Sequence, residues 1–392
     1  MENIGLKLDN KFEVKNIEFL NRTYKEYYFK NIGLLLPPKE IQSREFGIMN
    51  FDSRVIRHLS FSDIGKFKAY ILQNVPADVY CSNAYYQFPT FPIIEKGWKS
   101  ADLIFDIDLK DLLLPCHKEH TFYICSVCKD INKNDTRICP HCKDTKILEN
   151  IIPCNKCIKE LKKETKILIE FLRKDFGIKE ENLEVSFSGN TGFHIIVFDE
   201  DYSLLNSKCR SDIVGYLMGK NLSLDSFGIK SLKDGYRIKI PLSGYSFGWR
   251  KRIAEKIKFS EASSDKLNKL IKKFGGFESF KKEINEFVLE MGVRIDPQVT
   301  TDIHRIFRMV GSLNSKSGLS KIICKNLEKF DLFKDSSLFS DDKYVEISIK
   351  TSLTLNFKGK TYSLEKGITS VPLSLAVYLI SKKIANVSNY CS

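Results

Sequence analysis

The 392-residue sequence has no apolar run long enough to cross a bilayer, and its first residues, MENIGLKLDNKFEV, contain no apolar signal core. It also has no internal repeat, no low-complexity tract and no long polar span of the kind that stays disordered. These absences argue against a membrane protein, a secreted protein and a repeat protein. We therefore expect a cytoplasmic or nucleoid-associated protein without a membrane partner, in a compartment where thiols stay reduced.

Basic residues outnumber acidic ones, since 62 Lys and Arg stand against 49 Asp and Glu and give a formal net charge of +13. An excess of this size favours a polyanionic partner, because neutralising phosphates releases counterions. A lysine-rich solvated surface would give the same total, so the charge raises the odds of nucleic-acid binding only modestly. Hydrophobic residues make up 43% of the chain, enough for two domains or one large domain with insertions.

Apolar periodicity predicts helices and short strands along the chain. Helices are expected over residues 11–30, from Asp63 to about Gln73, from 158 to Gly177, over most of 205–290 and after Pro372. Strands are expected over residues 101–109, 183–198 and 345–365. The stretch 115–157 contains seven of the eleven cysteines and little periodicity, so we expect a metal to organise it.

Two acidic residues share one face of the predicted strand ADLIFDIDL. Leu103, Phe105 and Ile107 alternate with Asp106 and Asp108, so an apolar face can enter the core while both carboxylates lie side by side. Two carboxylates at such a short distance repel each other unless a cation neutralises them. Hard oxygen ligands suit Mg²⁺ or Mn²⁺, and a pair of such ions supports phosphoryl transfer. The solvated face of an edge strand is the alternative interpretation.

A third carboxylate, Asp296, comes before a basic segment, RIDPQVTTDIHRIFRMVGSLNSKSGL. We expect Thr300 or Thr301 to cap a helix that carries His304, Arg305 and Arg308. A Gly- and Ser-rich turn then brings in Ser312, Asn314 and Lys316. Such a series suits a metal together with a triphosphate. A capped helix with ordinary surface charges is the alternative.

The segment SFSGNTGFH, residues 186–194, predicts a loop between two strands that can approach a phosphate. Gly189 and Gly192 allow close backbone approach, and Ser188 and His194 lie where each can donate a hydrogen bond. An ordinary glycine-containing hairpin turn would have the same pattern.

Three C-x-x-C pairs give a strong zinc signal. The simplest nesting puts one structural site at Cys125, Cys128, Cys139 and Cys142. It puts the other at Cys116, one histidine, Cys154 and Cys157. With all four positions filled by protein, both sites would be structural.

The order of these motifs resembles the small, catalytic subunit of archaeal and eukaryotic DNA primases over nearly the whole chain. The motifs are TYKEYYF, REFG, RHLSF, VYCSNAYYQFP, ADLIFDIDL, SGNTGFH, DPQVTTDIHRIFR, SLNSKSG and VPLSLAVYLISKKIA. The resemblance implies that Asp106, Asp108 and Asp296 are the catalytic metal ligands. The nucleotide-binding residues that it implies are Ser188, Gly189, Gly192, His194, Arg308, Asn314 and Lys316.

The resemblance also implies the archaeo-eukaryotic primase fold, which is of the α/β (α+β) class and has a mixed β-sheet flanked by helices. The implied core is 1–204 with 291–392, the zinc-binding insertion is 115–157 and the helical subdomain is 205–290. The implied reaction is two-metal nucleotidyl transfer, which makes short RNA primers, and in some cases DNA, from nucleoside triphosphates on single-stranded DNA to begin replication. Implied cofactors are Mg²⁺ or Mn²⁺ and one or two structural Zn²⁺. The implied partner is a larger iron–sulphur subunit, which would form a heterodimer with this chain.

Two residues depart from the family pattern on the triphosphate side. Asn314 stands where the family usually has a histidine, and Thr191 stands where many members have Arg or Lys. The zinc region is also longer than usual, so the Cys125–Cys142 pairs resemble an insertion within the family's own knuckle. For that knuckle we expect His120 as a ligand in preference to His117, because a side chain adjacent to Cys116 is harder to aim at the same metal.

Two other functions remain open from sequence. One is a primase-polymerase for damage bypass or end joining, and the zinc knuckle argues against it because such relatives often lack one. The other is a non-catalytic zinc module that binds nucleic acid, which leaves the order of three carboxylates unexplained. Primer initiation on an unprimed template separates the first alternative from a replicative primase.

Overall fold

The computed structural model describes residues 2–220, 222–233, 235–239, 242–243, 246–259 and 263–389. Helices and short strands alternate through these residues, so the predicted α/β class is confirmed. Within the same residues no helix has the length and apolarity to cross a membrane.

The elements up to the glycine-containing loop come in two runs. The first run is α1 (Glu2–Asn31), β1 (Phe46–Met49), β2 (Val55–Leu59), α2 (Ile64–Asn74), β3 (Asp78–Ser82), β4 (Ala84–Tyr86), β5 (Trp98–Ala101) and β6 (Leu103–Asp108). The second run is α3 (Leu109–Leu112), α4 (His117–His120), β7 (Thr121–Cys125), β8 (Ile131–Asn132), β9 (Ile147–Ile151), α5 (Asn155–Lys174), β10 (Leu183–Phe187) and β11 (Gly192–Val197).

The remaining elements also fall into two runs. The first is α6 (Glu200–Ser203), α7 (Ser207–Leu217), β12 (Ile229–Leu232), β13 (Gly235–Ile238), α8 (Gly248–Lys256), α9 (Ser264–Lys273) and α10 (Phe277–Met291). The second is α11 (Pro297–Thr301), β14 (Ile306–Arg308), β15 (Ile322–Ile323), α12 (Leu332–Ser336), β16 (Tyr344–Ile349), β17 (Leu353–Phe357), β18 (Lys360–Leu364), β19 (Gly367–Pro372), α13 (Leu373–Ser381) and β20 (Ala385–Asn389).

Two four-stranded antiparallel sheets form the centre, with strand orders β14–β3–β1–β2 and β15–β10–β11–β6. One short segment of chain gives an edge strand to each sheet, because β14 pairs with β3 and β15 pairs with β10. The connection between them, residues 309–321, therefore crosses from one sheet to the other. This crossing brings the turn SLNSKSG, residues 312–318, beside the glycine-containing loop. The family resemblance implies that this turn contacts the triphosphate.

Helix α5 covers the second sheet, as its sequence predicts. Leu161, Leu168 and Leu172 are fully buried on one face, and the helix contacts β6 and β11. It ends at Lys174, and Gly177 follows with a φ of +68°, a conformation that favours glycine. The 205–290 region contains α7–α10 and the β12–β13 hairpin. The domain boundaries remain predictions.

The predicted helix after Thr300 or Thr301 is wrong. Thr301 is the last residue of α11, which Asp296 caps through a hydrogen bond from Gln298 N–H (2.9 Å) with Pro297 at the first position. Residues 306–308 are strand β14. A local pattern of basic residues resembled a helix face, but pairing with β3 determined the backbone.

A buried ionic network holds the chain just before β6. Arg44, whose side chain is 2% exposed, donates to Asp102 Oδ2 at 2.7 Å and to the carbonyls of Ser82 and Asn83. Buried Arg210 donates to the carbonyl oxygens of Ala101 (2.7 Å) and Asp102 (3.0 Å). Because every buried charge here has partners, the segment that leads into β6 has one conformation.

Replacing Asp102 with Asn should lower the free energy of unfolding by about 3–5 kcal/mol, because Arg44 then stays buried without a counter-charge. Urea denaturation measures the change. The matched control is Asp52→Asn, which breaks an ion pair whose side chains are 72% and 53% exposed and should leave the midpoint where it is. Equal effects from both substitutions would contradict the assignment.

Candidate active site

Strand β6 presents the two predicted carboxylates together. Its other face is buried, with Leu103, Phe105 and Ile107 at most 1% exposed, while Asp106 and Asp108 are half-buried. Helix α11 contacts β6, so the carboxylate face is partly covered by protein. The alternation predicted from the sequence is therefore present, and the carboxylates lie in a partly desolvated site.

Asp296 joins this pair through the backbone. Its N–H donates to the carbonyl oxygen of Asp106 at 3.0 Å, and its side chain begins α11. Burial, together with the negative charges of Asp108 and Asp296, raises the pKa of Asp106 to about 8. The three predicted carboxylates are thus close enough to repel one another, which a divalent cation would offset.

The carboxylates are more widely spaced than the thiols described below. Among the described residues, only cysteines form groups of three or more metal-ligating atoms that all lie within 4.8 Å of one another. Asp108 instead accepts hydrogen bonds from Thr191 Oγ1 at 3.0 and 3.1 Å and from Lys110 N–H at 3.2 Å. Carboxylate oxygens in this arrangement fit a hard cation that also takes oxygens from a substrate.

The loop between β10 and β11 lies directly against β6. Gly192 is opposite Asp108 in the strand register, and a Cβ atom on it would lie 2.5 Å from the carbonyl oxygen of Ile107. Gly189 has a φ of +84°. The Ser188 hydroxyl oxygen accepts from Gly192 N–H at 3.2 Å and from Asn190 N–H at 3.4 Å. Glycine is therefore required at two points for the loop to approach the carboxylates.

His194 is opposite Asp106 in the same register, and its Nε2 lies 3.6 Å from Asp106 Oδ1. Its Nδ1 lies 3.1 Å from Nζ of buried Lys321. Burial and then the positive charge of Lys321 hold the pKa of His194 well below its usual value. If Lys321 donates to Nδ1, the neutral ring carries its proton on Nε2, towards Asp106.

The turn after β14 forms around a buried carboxylate. Asp78 binds Arg308 Nη1, accepts Ser315 N–H at 2.8 Å and accepts Ser315 Oγ at 2.7 Å. Arg308 also donates to the carbonyl of Leu313 at 2.7 Å. The guanidinium therefore shapes the turn, and its predicted contact with a triphosphate remains a prediction.

Asn314 faces the glycine-containing loop. Its Nδ2 lies 3.5 Å from the carbonyl oxygen of Ser188, and its Oδ1 accepts Lys316 N–H at 2.9 Å. Lys316 itself is exposed. The structure thus brings Ser188, Gly189 and Asn314 together, with Lys316 at the surface.

The predicted zinc ligands form two clusters. Cys125, Cys128, Cys139 and Cys142 lie together, and so do Cys116, Cys154 and Cys157. Sulfur–sulfur distances within them are 3.4, 3.5, 3.5 and 3.7 Å. Sulfurs on a tetrahedral zinc with bonds of about 2.3 Å lie about 3.8 Å apart, so both clusters fit that metal.

The fourth ligand of the Cys116 cluster is a separate question. Neither His120 nor His117 has a ring nitrogen within that group. His117 Nε2 is buried and has no hydrogen-bond partner among the described residues. The preference for His120 remains a prediction.

Three contributors to the site carried no recognisable sequence signal. Lys321 lies beside His194, Thr191 binds Asp108, and Lys382, at the end of α13, donates to Asn190. Thr191 was noted only for the basic residue that it replaces. In a sequence with 62 Lys and Arg, Lys321 and Lys382 look like ordinary surface lysines. Only their burial in the folded chain distinguishes them from the exposed lysines.

The chain is similar to known proteins along nearly its whole length. A family model described as "DNA primase small subunit" matches residues 143–323. The chain is 42% identical to the DNA primase small subunit of Nitrosopumilus maritimus, over 95% of this chain and 99% of that one. It is 35% identical to the corresponding protein of Cenarchaeum symbiosum, again over 95% and 99%.

A solved structure of the polymerase domain of Mycobacterium tuberculosis ligase D in complex with DNA is also similar. Its TM-score is 0.29 and its identity 10%, over 54% of this chain and 67% of that chain, which is too weak to support an argument. The full-length matches to curated relatives are decisive instead: this chain belongs to the DNA primase small subunit family.

Proposed function

We propose that the chain synthesises primers on single-stranded DNA, with Asp106, Asp108 and Asp296 as the ligands of two divalent cations. The main support is that three carboxylates, two on β6 and one at the start of α11, lie beside the glycine-containing loop between β10 and β11. Family membership indicates the class of reaction, which is nucleotidyl transfer. The carboxylates are the proposed site at which it takes place. Bound Mg²⁺ or Mn²⁺ would lower the pKa of the attacking 3′-hydroxyl and offset the charge of the triphosphate.

The protein's own groups bind and orient the nucleotide in this proposal. The neutral ring of His194 can donate from Nε2 to a phosphate oxygen, and the Ser188 hydroxyl can donate its proton there. The backbone at Gly189 and Gly192 lets phosphates approach closely. Lys316 adds a positive charge at the open side, and Lys321 keeps His194 neutral and oriented.

Asn314 and Thr191 differ from the residues that the family usually has on the triphosphate side of the site. The Asn314 amide can donate a hydrogen bond but carries no charge, and Thr191 is directed at Asp108. The affinity for the triphosphate then depends more on the metals and on Lys316. Ribonucleotides are the proposed substrates, and deoxynucleotides are the alternative.

The two cysteine clusters are proposed to hold one Zn²⁺ each, with His120 as the fourth ligand beside Cys116. The first cluster joins β7 to the loop before β9, and the second fixes the start of α5. Because α5 covers β6 and β11, zinc at Cys154 and Cys157 would brace the sheet that carries the carboxylates. We also propose that a larger, iron–sulphur primase subunit pairs with this chain.

Replacing Asp106 with Ala should reduce primer synthesis by about 10³-fold or more, since several kcal/mol of metal-dependent stabilisation is lost. Incorporation of labelled nucleotide on an unprimed single strand measures this. The zinc content and the thermal midpoint should stay unchanged.

Asp342→Ala, at an exposed position remote in sequence from the site, is the control and should retain full synthesis. Synthesis at the wild-type rate by the Asp106→Ala protein would overturn the proposed function.

The purified protein should contain two zinc ions per chain by elemental analysis. A Cys128→Ser, Cys142→Ser double variant should contain one, because only the four-cysteine cluster loses ligands. Cys209→Ser is the control, since Cys209 is exposed and belongs to neither cluster, and it should keep both ions. Two zinc ions in the double variant would show that these cysteines bind no metal.

A further inference from the structure

Lys382 is an unusual residue for the end of a helix, because its side chain is almost fully buried. The residue is 1% exposed, and its ammonium donates to the carbonyl oxygen of Ile151 at 3.0 Å and to Asn190 Oδ1 at 2.8 Å. Both acceptors are neutral. Burying a lysine without a carboxylate partner is costly, so the position calls for an explanation beyond packing.

The hydrogen bond to Asn190 is the first of three that lead to a proposed metal ligand. Asn190 Nδ2 lies 3.3 Å from Thr191 Oγ1. Thr191 Oγ1 lies 3.0 and 3.1 Å from the two carboxylate oxygens of Asp108. The ammonium is thus linked to Asp108 through two neutral side chains.

Every bond in this series has the same direction. An ammonium only donates, so Asn190 must turn its oxygen to Lys382 and its NH₂ to Thr191. The Thr191 oxygen then accepts from Asn190, and its single proton is left for Asp108. Bonds aligned in this way polarise one another, and each fixes the orientation of the next.

Lys382 also ties the series to the zinc-binding insertion. Ile151, which accepts from the ammonium, is the last residue of β9, three positions before Cys154. Asn150 Nδ2 donates back to the carbonyl oxygen of Lys382 at 2.5 Å. The end of α13, the insertion and the glycine-containing loop therefore meet at one side chain.

We propose that Lys382 is a positioning residue that orients the Asp108 carboxylate, through Asn190 and Thr191, for metal binding. The inference rests on the proposed function, since it takes Asp108 to be a metal ligand. Burial lowers the pKa of Lys382 to about 7, and the charge of Asp108 opposes that change. The direction of the three bonds follows from the charged form of Lys382, because an ammonium has no lone pair and can only donate.

The test compares Lys382→Met with Lys383→Met in two measurements, Mn²⁺ binding by isothermal titration calorimetry and metal-titrated primer synthesis. The Mn²⁺ dissociation constant should rise in Lys382→Met and stay unchanged in Lys383→Met. Methionine keeps the length of the side chain and removes both the donors and the charge, so the variant buries no unpaired ion. Lys382→Met should raise the half-saturating Mg²⁺ concentration, or lower kcat, by about 10-fold or more, as for other groups that orient metal ligands. The neighbouring Lys383 is exposed, and its substitution should change neither value.

A double-mutant cycle separates positioning from simple support of the fold. Asn190→Ala should give the same rise in half-saturating Mg²⁺ with Lys382 intact, and the double variant should be no worse than either single one. Independent, additive effects would mean that Lys382→Met acts through the lost contact with Ile151, and they would overturn the proposal. Asn190→Ala decides the matter even if Lys382→Met fails to fold, because wild-type metal dependence in that variant also overturns it.

Asp108→Ala distinguishes failure of the inference from failure of the proposed function. If Asp108→Ala is inactive while Lys382→Met behaves as wild type, only the role of Lys382 is wrong. If Asp108→Ala stays active, the metal site itself is wrong.

Discussion

Strand β6 pairs with β11 so that Gly192 lies opposite Asp108 and His194 lies opposite Asp106. This register decides which groups meet: two carboxylates, a loop that approaches them closely, and a neutral imidazole. Helix α11 adds Asp296 through one backbone hydrogen bond. A slip of one residue would turn the carboxylates into the core and the apolar side chains outwards. The buried leucine and phenylalanine side chains of β6 therefore maintain the chemistry as well as the fold.

Buried positive charge surrounds the carboxylates. Lys321 lies beside His194, Lys382 is linked to Asp108, and Arg308 binds Asp78 under the 312–316 turn. Such groups cost free energy to desolvate, and each has defined hydrogen-bond partners in return. The site is proposed to bind metals and a triphosphate, and such a site needs groups whose orientation is set before the substrate arrives. Fixed buried cations serve that purpose better than mobile surface lysines.

Much of this organisation could be predicted from residue patterns. Alternation identified β6 and its two carboxylates, the C-x-x-C spacing identified two metal clusters, and motif order identified the family. The helix predicted beyond Thr301 was wrong because pairing with β3, hundreds of positions away, determined that backbone. Lys382 and Asn190 are 192 positions apart and carry no motif, so only the folded chain shows that they meet. Sequence patterns located the carboxylates and the cysteines better than the buried residues around them.

The central claim is that Asp106, Asp108 and Asp296 together bind two divalent cations. Anomalous diffraction from crystals soaked with Mn²⁺ and a non-hydrolysable nucleoside triphosphate tests it most directly. The expected result is two manganese peaks roughly 4 Å apart, each bound by oxygens of these carboxylates, with the triphosphate bridging them. Nucleotide bound elsewhere, or manganese with no contact to Asp106 and Asp108, would contradict the account.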